Sequence, residues 1–200
     1  MISETRICFI GDSFVQGVGD PEYRGWVGRV LQATDGEVTA FNLGVRRDTS
    51  ADVVRRCWGE VGPRVRPGAD NRLVVSFGSN DMVGQGGGVR VGADRCLDNL
   101  SALVAEARRR GVGVLVVGPP PVVGAGEGHL RRTVALAERM AARCEGAGVP
   151  FVDTTRALAA DPVWTGEAAA GDGAHPGGAG YARLAGIVAA GAWHDWVAGR

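Results

Sequence analysis

The chain has 200 residues, 45% of them hydrophobic, and 22 basic residues balance 22 acidic ones for a formal net charge of zero. That length and apolar content suit one domain spanning residues 1–200 with a full-sized core. The balanced charge argues against nucleic acid or an anionic membrane as partner, and no apolar run approaches the roughly 20 residues of a membrane span.

Strand and helix signals alternate along the chain. Residues 6–10 form a short apolar run closed by Gly11, the pattern of a buried strand. Helical spacing follows at Trp26, Val27, Val30 and Leu31, and residues 38–43 read as a second strand. Thr49 or Ser50 can cap a helix that carries Val53, Val54, Cys57 and Trp58 and closes near Pro63. Residues 73–77 make a third strand, and the glycine-rich stretch 84–88 is expected to be a flexible loop. The spacing predicts a helix over 94–110 with a basic last turn before Gly111, then a fourth strand over 112–117 stopped by Pro119-Pro120-Pro121. A helix over 129–145, a short fifth strand at 150–152 and a last helix over 178–193 complete the order.

Near-continuous apolar strands separated by helices predict an α/β fold of three layers. The expected form is a flavodoxin-like, doubly wound, five-stranded parallel sheet with helices on both faces. Ligands of such sheets bind at the carboxyl ends of the strands. Three polar islands lie there or nearby: Gly11-Asp12-Ser13, Asn42-Leu43-Gly44 and Gly78-Ser79-Asn80-Asp81. A fourth, Asp172-Gly173-Ala174-His175-Pro176, precedes the last helix.

Together the islands hold the parts that acyl transfer by a serine needs. Ser13 sits in a turn that can present its hydroxyl at the sheet edge. His175 is a better base than His129, at a helix start, or His194, near the C-terminus. Asp172 stands three residues before His175, a spacing that lets a tight turn bring the carboxylate to the imidazole nitrogen facing away from Ser13. The backbone N–H of Ser13, the N–H of Gly44 and the side-chain amide of Asn80 are candidate donors to a developing oxyanion. Each island alone is also an ordinary turn or helix cap; their joint occurrence is what carries the chemistry.

With these residues in view, the chain resembles the SGNH hydrolases, also called GDSL-type lipases and esterases. The blocks Gly11-Asp12-Ser13-Phe14-Val15-Gln16-Gly17, Asn42-Leu43-Gly44, Gly78-Ser79-Asn80-Asp81 and Asp172-Gly173-Ala174-His175-Pro176 carry the likeness. The resemblance implies a three-layer α/β/α fold and hydrolysis of small-molecule esters without metal or cofactor. It casts Ser13 as nucleophile, His175 as base, Asp172 as its orienter, and Gly44 and Asn80 as oxyanion donors beside the Ser13 amide. Phe14 stands where the family usually has leucine.

The loops over 85–91 and 119–127 are expected to wall the pocket. The second is rich in small residues and prolines, which favours short acyl groups. Arg46 and Arg47 are either solvated arginines or contacts for a charged substrate group, and Trp164 either lines the pocket or packs in the core. Trp193 and Trp196 are expected to join a subunit contact or to pin the last helix. The cysteines Cys8, Cys57, Cys96 and Cys144 lack metal-ligand spacing and read as buried reduced thiols. No secretion signal is evident, which suits a cytoplasmic protein. The competing readings are an acyltransferase using the same acyl-serine and a non-catalytic flavodoxin-like binding module.

Overall fold

A computed structural model describes residues 4–199. The first strand, β1 (Thr5–Gly11), turns Ile7 and Phe9 to one face and Cys8 and Ile10 to the other, and all four are buried. A strand covered on both faces needs helices on both sides. The chain supplies them in order: α1 (Ser13–Gln16), α2 (Gly25–Gln32), β2 (Val38–Gly44), α3 (Ser50–Val61), β3 (Asp70–Ser76), β4 (Gly84–Gln85), β5 (Gly88–Val89), α4 (Ala93–Arg109), β6 (Gly113–Val117), α5 (Gly126–Ala147), β7 (Phe151–Val152), α6 (Thr155–Ala159), α7 (Pro162–Ala170), α8 (Gly178–Val188) and α9 (His194–Val197).

The main sheet runs β2-β1-β3-β6-β7 with every neighbour pair parallel. On one face Cys8, Ile10, Leu73, Val75 and Val116 meet Val53 of α3, Leu100 of α4 and Met140 of α5. On the other, Ile7, Phe9, Val74 and Leu115 meet Trp26 of α2, Trp164 of α7 and Leu184 of α8. This is the expected three-layer α/β/α arrangement. In the doubly wound order the crevice opens between β1 and β3, where the connections leave in opposite directions. Ser13 follows β1 and Asn80 follows β3, so both stand at that crevice.

Several local expectations change. Thr49, not Ser50, caps α3, in a reciprocal capping box with Asp52. The stretch expected as a flexible loop closes into the small antiparallel hairpin β4–β5, tied back by Arg90 N–H to Val83 O at 3.0 Å. Two helices, α6 and α7, fill residues that gave no helical period; Asp161 caps α7 and Pro162 occupies its first turn, a start signal legible in the sequence. The last predicted helix ends at Val188 and continues through a wider turn, Ala189–Trp193, broken at Gly191.

The cysteines lie in β1, α3, α4 and α5, all free and buried. Burial raises the Cys57 thiol to about 12 and those of Cys8 and Cys144 to about 11. No helix among the described residues is long and apolar enough to cross a membrane. Trp193 is fully buried, stacks 5.8 Å from Phe9 and donates its indole N–H to Thr34 Oγ1 at 2.9 Å. It therefore pins the chain end to the sheet. Trp193→Ala is expected to cost about 3–5 kcal/mol of unfolding free energy, read as a lower denaturant midpoint at unchanged slope.

Candidate active site

Ser13 is presented by a one-turn helix laid across the ends of two strands. Asp12 caps α1 in an extended conformation, and its Oδ1 accepts the Phe14 N–H at 2.9 Å. Ser13 occupies the first helical position, where the backbone N–H has no partner within the helix. Gly17, with φ +85°, ends the turn, and a Cβ there would meet Gly25 at 2.9 Å. Asn42 Nδ2 donates to Val15 O at 2.7 Å and fastens α1 to β2. Ser13 keeps only 4% of its surface exposed.

His175 and Asp172 come from the loop after α7. Gly173 has φ +81°, which turns the chain back on itself. Asp172 Oδ1 accepts the N–H groups of Ala174 at 3.0 Å and His175 at 2.9 Å, and Oδ2 lies 2.7 Å from His175 Nδ1. Partial burial pushes the Asp172 carboxyl up, but the hydrogen bonds from the His175 amide, its imidazole and the Ala174 amide outweigh it and hold the group well below the usual carboxylate range. An ionised Asp172 makes Nδ1 the protonated nitrogen and leaves Nε2 with its lone pair. That Nε2 is closed off from solvent and has no hydrogen-bond partner among the described residues. No hydrogen bond joins the Ser13 hydroxyl to the imidazole.

An aromatic chain fixes the imidazole plane. The Phe14 ring lies 5.2 Å from His175 and 5.8 Å from Trp164, whose ring meets Tyr181 edge-on at 6.1 Å. Trp164 is fully buried and donates to Pro121 O at 3.3 Å, so it is core and not pocket wall. Phe14 thus supports the imidazole through its ring.

The turn carrying Asn80 is held from several sides. Ser79 Oγ donates to Pro120 O at 2.6 Å, His129 Nε2 sits 2.9 Å from Ser79 O, and Arg132 Nη2 donates to Met82 O at 2.9 Å. Burial depresses the His129 pKa, favouring the neutral ring. His129 is buried on the turn and His194 is exposed at the start of α9, and among the described residues it is His175 that pairs with Asp172. Asp81 is buried, accepts both the N–H and the hydroxyl of Ser50, and is raised by that burial. Asn80 Nδ2 donates to Asp48 O at 3.0 Å and lies 3.4 Å from Asp12 Oδ2. Gly44 N–H donates to Asn42 Oδ1 at 3.0 Å. Arg46 Nη2 reaches Asp172 Oδ2 at 3.1 Å, while Arg47 stays exposed. Neither Asp48 nor Asn42 was singled out from the sequence for these contacts, because a backbone carbonyl and a local side-chain bond leave no residue-type signal.

The two expected walls differ from each other. Carbonyls of the proline run all accept side-chain donors: Thr155 Oγ1 on Pro119, Ser79 Oγ on Pro120 and Trp164 Nε1 on Pro121. Farther on, Gly124 N–H donates to Gly173 O at 2.7 Å, so this loop buttresses the His175 segment. No group of three or more His, Cys, Asp or Glu suited to a metal occurs among the described residues.

A family model described as the GDSL-like Lipase/Acylhydrolase family matches residues 9–183. The chain belongs to that family. No curated protein matches it. Solved structures with a similar fold include a lipase/acylhydrolase from Enterococcus faecalis, 22% identical with a TM-score of 0.72 over 93% of this chain and 94% of that one. An acetylxylan esterase from Geobacillus stearothermophilus, solved as a catalytic mutant, is 23% identical with a TM-score of 0.77 over 98% and 97%. A member of the lipolytic G-D-S-L family from Veillonella parvula is 19% identical with a TM-score of 0.74 over 92% and 96%. This family member thus shares its fold with esterases and acylhydrolases across nearly its whole length.

Asp12, next to Ser13, is 1% exposed. Burial lifts its pKa from the ordinary 3.8 to about 7, opposed by the Phe14 N–H and reinforced by the charges of Asp81 and Asp48. A carboxyl raised on folding stabilises fully below its unfolded value, and that contribution is lost as pH rises through about 7. Asp12→Asn keeps an oxygen for the Phe14 amide and removes the charge. The stability of the variant relative to the parent is therefore expected to rise by about 4 kcal/mol between pH 4 and pH 8, measured by urea unfolding across that range.

Proposed function

We propose that the chain hydrolyses small or short-chain carboxylic esters through an acyl-serine intermediate. The observation that carries this reading is the pair Asp172–His175: a 2.7 Å contact on Nδ1, with the opposite nitrogen unpartnered and sheltered from water. A solvated surface histidine would have neither feature.

In this mechanism Ser13 Oγ attacks the ester carbonyl carbon as its proton passes to His175 Nε2. Asp172 stabilises the imidazolium that forms. The negative oxygen of the tetrahedral intermediate is met by the Ser13 N–H, the Asn80 amide and a further backbone N–H. Collapse breaks the carbon–oxygen bond of the ester, and His175 returns the proton to the leaving alcohol. Water then attacks the acyl-serine, with His175 as base again, and the acid departs. Asn80 is held by Asp48 O through one hydrogen, and its other hydrogen faces the long 3.4 Å contact to Asp12 that an oxyanion can displace.

Small acyl groups fit the surroundings. The loop after β6 contributes buried prolines and exposed small residues rather than an apolar lid. The acetylxylan esterase with the same fold, solved with alanine in place of an aspartate, a histidine or a serine as catalytic mutants, is consistent with both the acyl size and the three residue types.

Hydrolysis of p-nitrophenyl esters from acetyl to long acyl chains tests the reading. The parent is expected to favour the short chains. By analogy with other serine triads, Ser13→Ala should lose about 10⁴–10⁶ in kcat, and Asn80→Ala about 10²–10³. Equal rates in Ser13→Ala and the parent would end the hypothesis. Product analysis with an added alcohol separates the transferase reading, in which the acyl group appears on the alcohol.

A further inference from the structure

Two arginines on the turn after β2 and one beside the hairpin gather where the two halves of the site meet. The turn runs over Val45, Arg46, Arg47 and Asp48 and is closed by Asp48 N–H to Val45 O at 3.2 Å. At one end Arg46 Nη2 donates to Asp172 Oδ2 at 3.1 Å, the same oxygen that lies 2.7 Å from His175 Nδ1. At the other end two successive carbonyls are occupied. Arg90 Nη2 donates to Arg47 O at 3.0 Å, and Asn80 Nδ2 donates to Asp48 O at 3.0 Å. The Arg46 guanidinium thus stands on the imidazole side and that of Arg90 on the Asn80 side, with Arg47 on the backbone between.

Nearby acids do not cancel this charge. Asp48 is occupied by Arg56, whose Nε lies 2.6 Å from Asp48 Oδ2 and whose Nη1 lies 2.9 Å from Glu60 Oε2. Asp172 is shared between Arg46 and His175. Arg47 and Arg90 have no carboxylate within ion-pair distance among the described residues; the Arg90 head rests on a backbone carbonyl instead. Elsewhere arginines meet acids directly, as Arg29 does Asp20, Arg72 Asp70 and Arg139 Asp94. The chain is neutral as a whole, so the surplus here is local. It is also within reach of a solute, because the Arg46 side chain is half exposed and Arg47 is exposed.

Arg47 has φ +74°, a region that glycine enters freely and other residues rarely adopt. Glycine would close the same turn without strain. What arginine adds at that position is its side chain, and the side chain makes no hydrogen bond among the described residues. Residues held in this way cluster at ligand sites.

From this arrangement we infer that the three arginines select esters whose alcohol half carries a carboxylate. The inference rests on the ester-hydrolase reading and names its substrate class. A short acyl group has little length on which to place a charge, so the charge belongs to the alcohol, which extends toward solvent. Arg46 already holds one carboxylate oxygen through Nη2, and its Nε and Nη1 remain for another. A guanidinium fork matches a carboxylate at two points. Arg47 and Arg90 add an attraction that needs no fixed contact.

The test compares two acetate esters of matched phenols, 3-(4-acetoxyphenyl)propanoate and its primary amide. Two methylenes insulate the phenol from the charge, so the leaving groups are alike and only the remote carboxylate differs. At about 0.01 M ionic strength, where attraction extends about 30 Å, kcat/KM for the carboxylate is expected to exceed that for the amide about tenfold. At about 1 M, where it extends about 3 Å, the ratio should fall to about threefold or less. Joint replacement by Arg47→Gln and Arg90→Gln should bring the low-salt ratio below about threefold. Joint replacement by Arg47→Lys and Arg90→Lys should keep most of it, since charge carries the attraction. A parent ratio near one at low salt, a ratio unmoved by salt, or one that survives the glutamine pair overturns the inference and leaves the hydrolase standing. A lysine pair that falls as far as the glutamine pair does the same. Release of acetate from neither ester, nor from p-nitrophenyl acetate, overturns both readings.

Discussion

The site depends on how closely one turn of helix can lie on the ends of β1 and β2. Two glycines allow it. A Cβ on Gly11 would stand 2.0 Å from Ser76 O and 2.6 Å from Val15 Cγ2, and one on Gly44 would run into the backbone of Gln16. With both positions bare, α1 sits down on the strands, Asn42 reaches Val15 O, and Ser13 emerges at the crevice between β1 and β3. The lateral position of Ser13 is thus set by absent side chains. The fold only guarantees a crevice; the glycines decide how deep in it the hydroxyl lies.

Around that seat, the remaining groups are joined to one another more than to the sheet. Asp172 collects donors from its own turn and from Arg46 across the crevice. Asn80 is tied to Asp48, and the loop after β6 supports both the Asn80 turn, through Ser79, and the His175 segment, through Gly124. The bonds from Asn80, Ser79 and Gly124 end on backbone carbonyls, and the others on the Asp172 carboxylate. Proline favours that arrangement in the loop after β6, since it leaves a carbonyl free to accept and has no N–H to satisfy. The cost of the design is charge: Asp12 and Asp81 are buried close together, and both are pushed toward their neutral forms.

Much of this was legible in the sequence, for identifiable reasons. The strands of the sheet announce themselves because a strand buried on both faces is apolar at successive positions, as in residues 73–77. Ser13 and Asn80 stand out because they follow buried strands, and Asp172 and His175 because their three-residue spacing suits a turn that pairs a carboxylate with an imidazole. Helices α6 and α7 leave no clean period because they are short and alanine-rich, with two buried positions in each, although Asp161-Pro162 marks a start. The environment of Gly44 and Arg47 was beyond reach for a deeper reason. An amide is present at every residue other than proline, so which one is free depends on hydrogen bonds and φ values that a letter does not encode. A glycine after a strand reads as a place of close backbone approach, and Gly44 meets the backbone of Gln16.

The cross-bracing has a bearing on how the molecule comes apart. The His175 loop, the Asn80 turn, the proline segment and the turn at Arg47 hang on shared hydrogen bonds, among them Gly124 to Gly173 and Arg46 to Asp172. Segments coupled in this way open as one cooperative unit rather than fraying singly. Amide exchange across the four would then proceed with a common opening energy, and a lesion in any one brace would loosen the oxyanion side and the imidazole side alike. On that expectation the site opens as a single foldon assembled from distant stretches of chain.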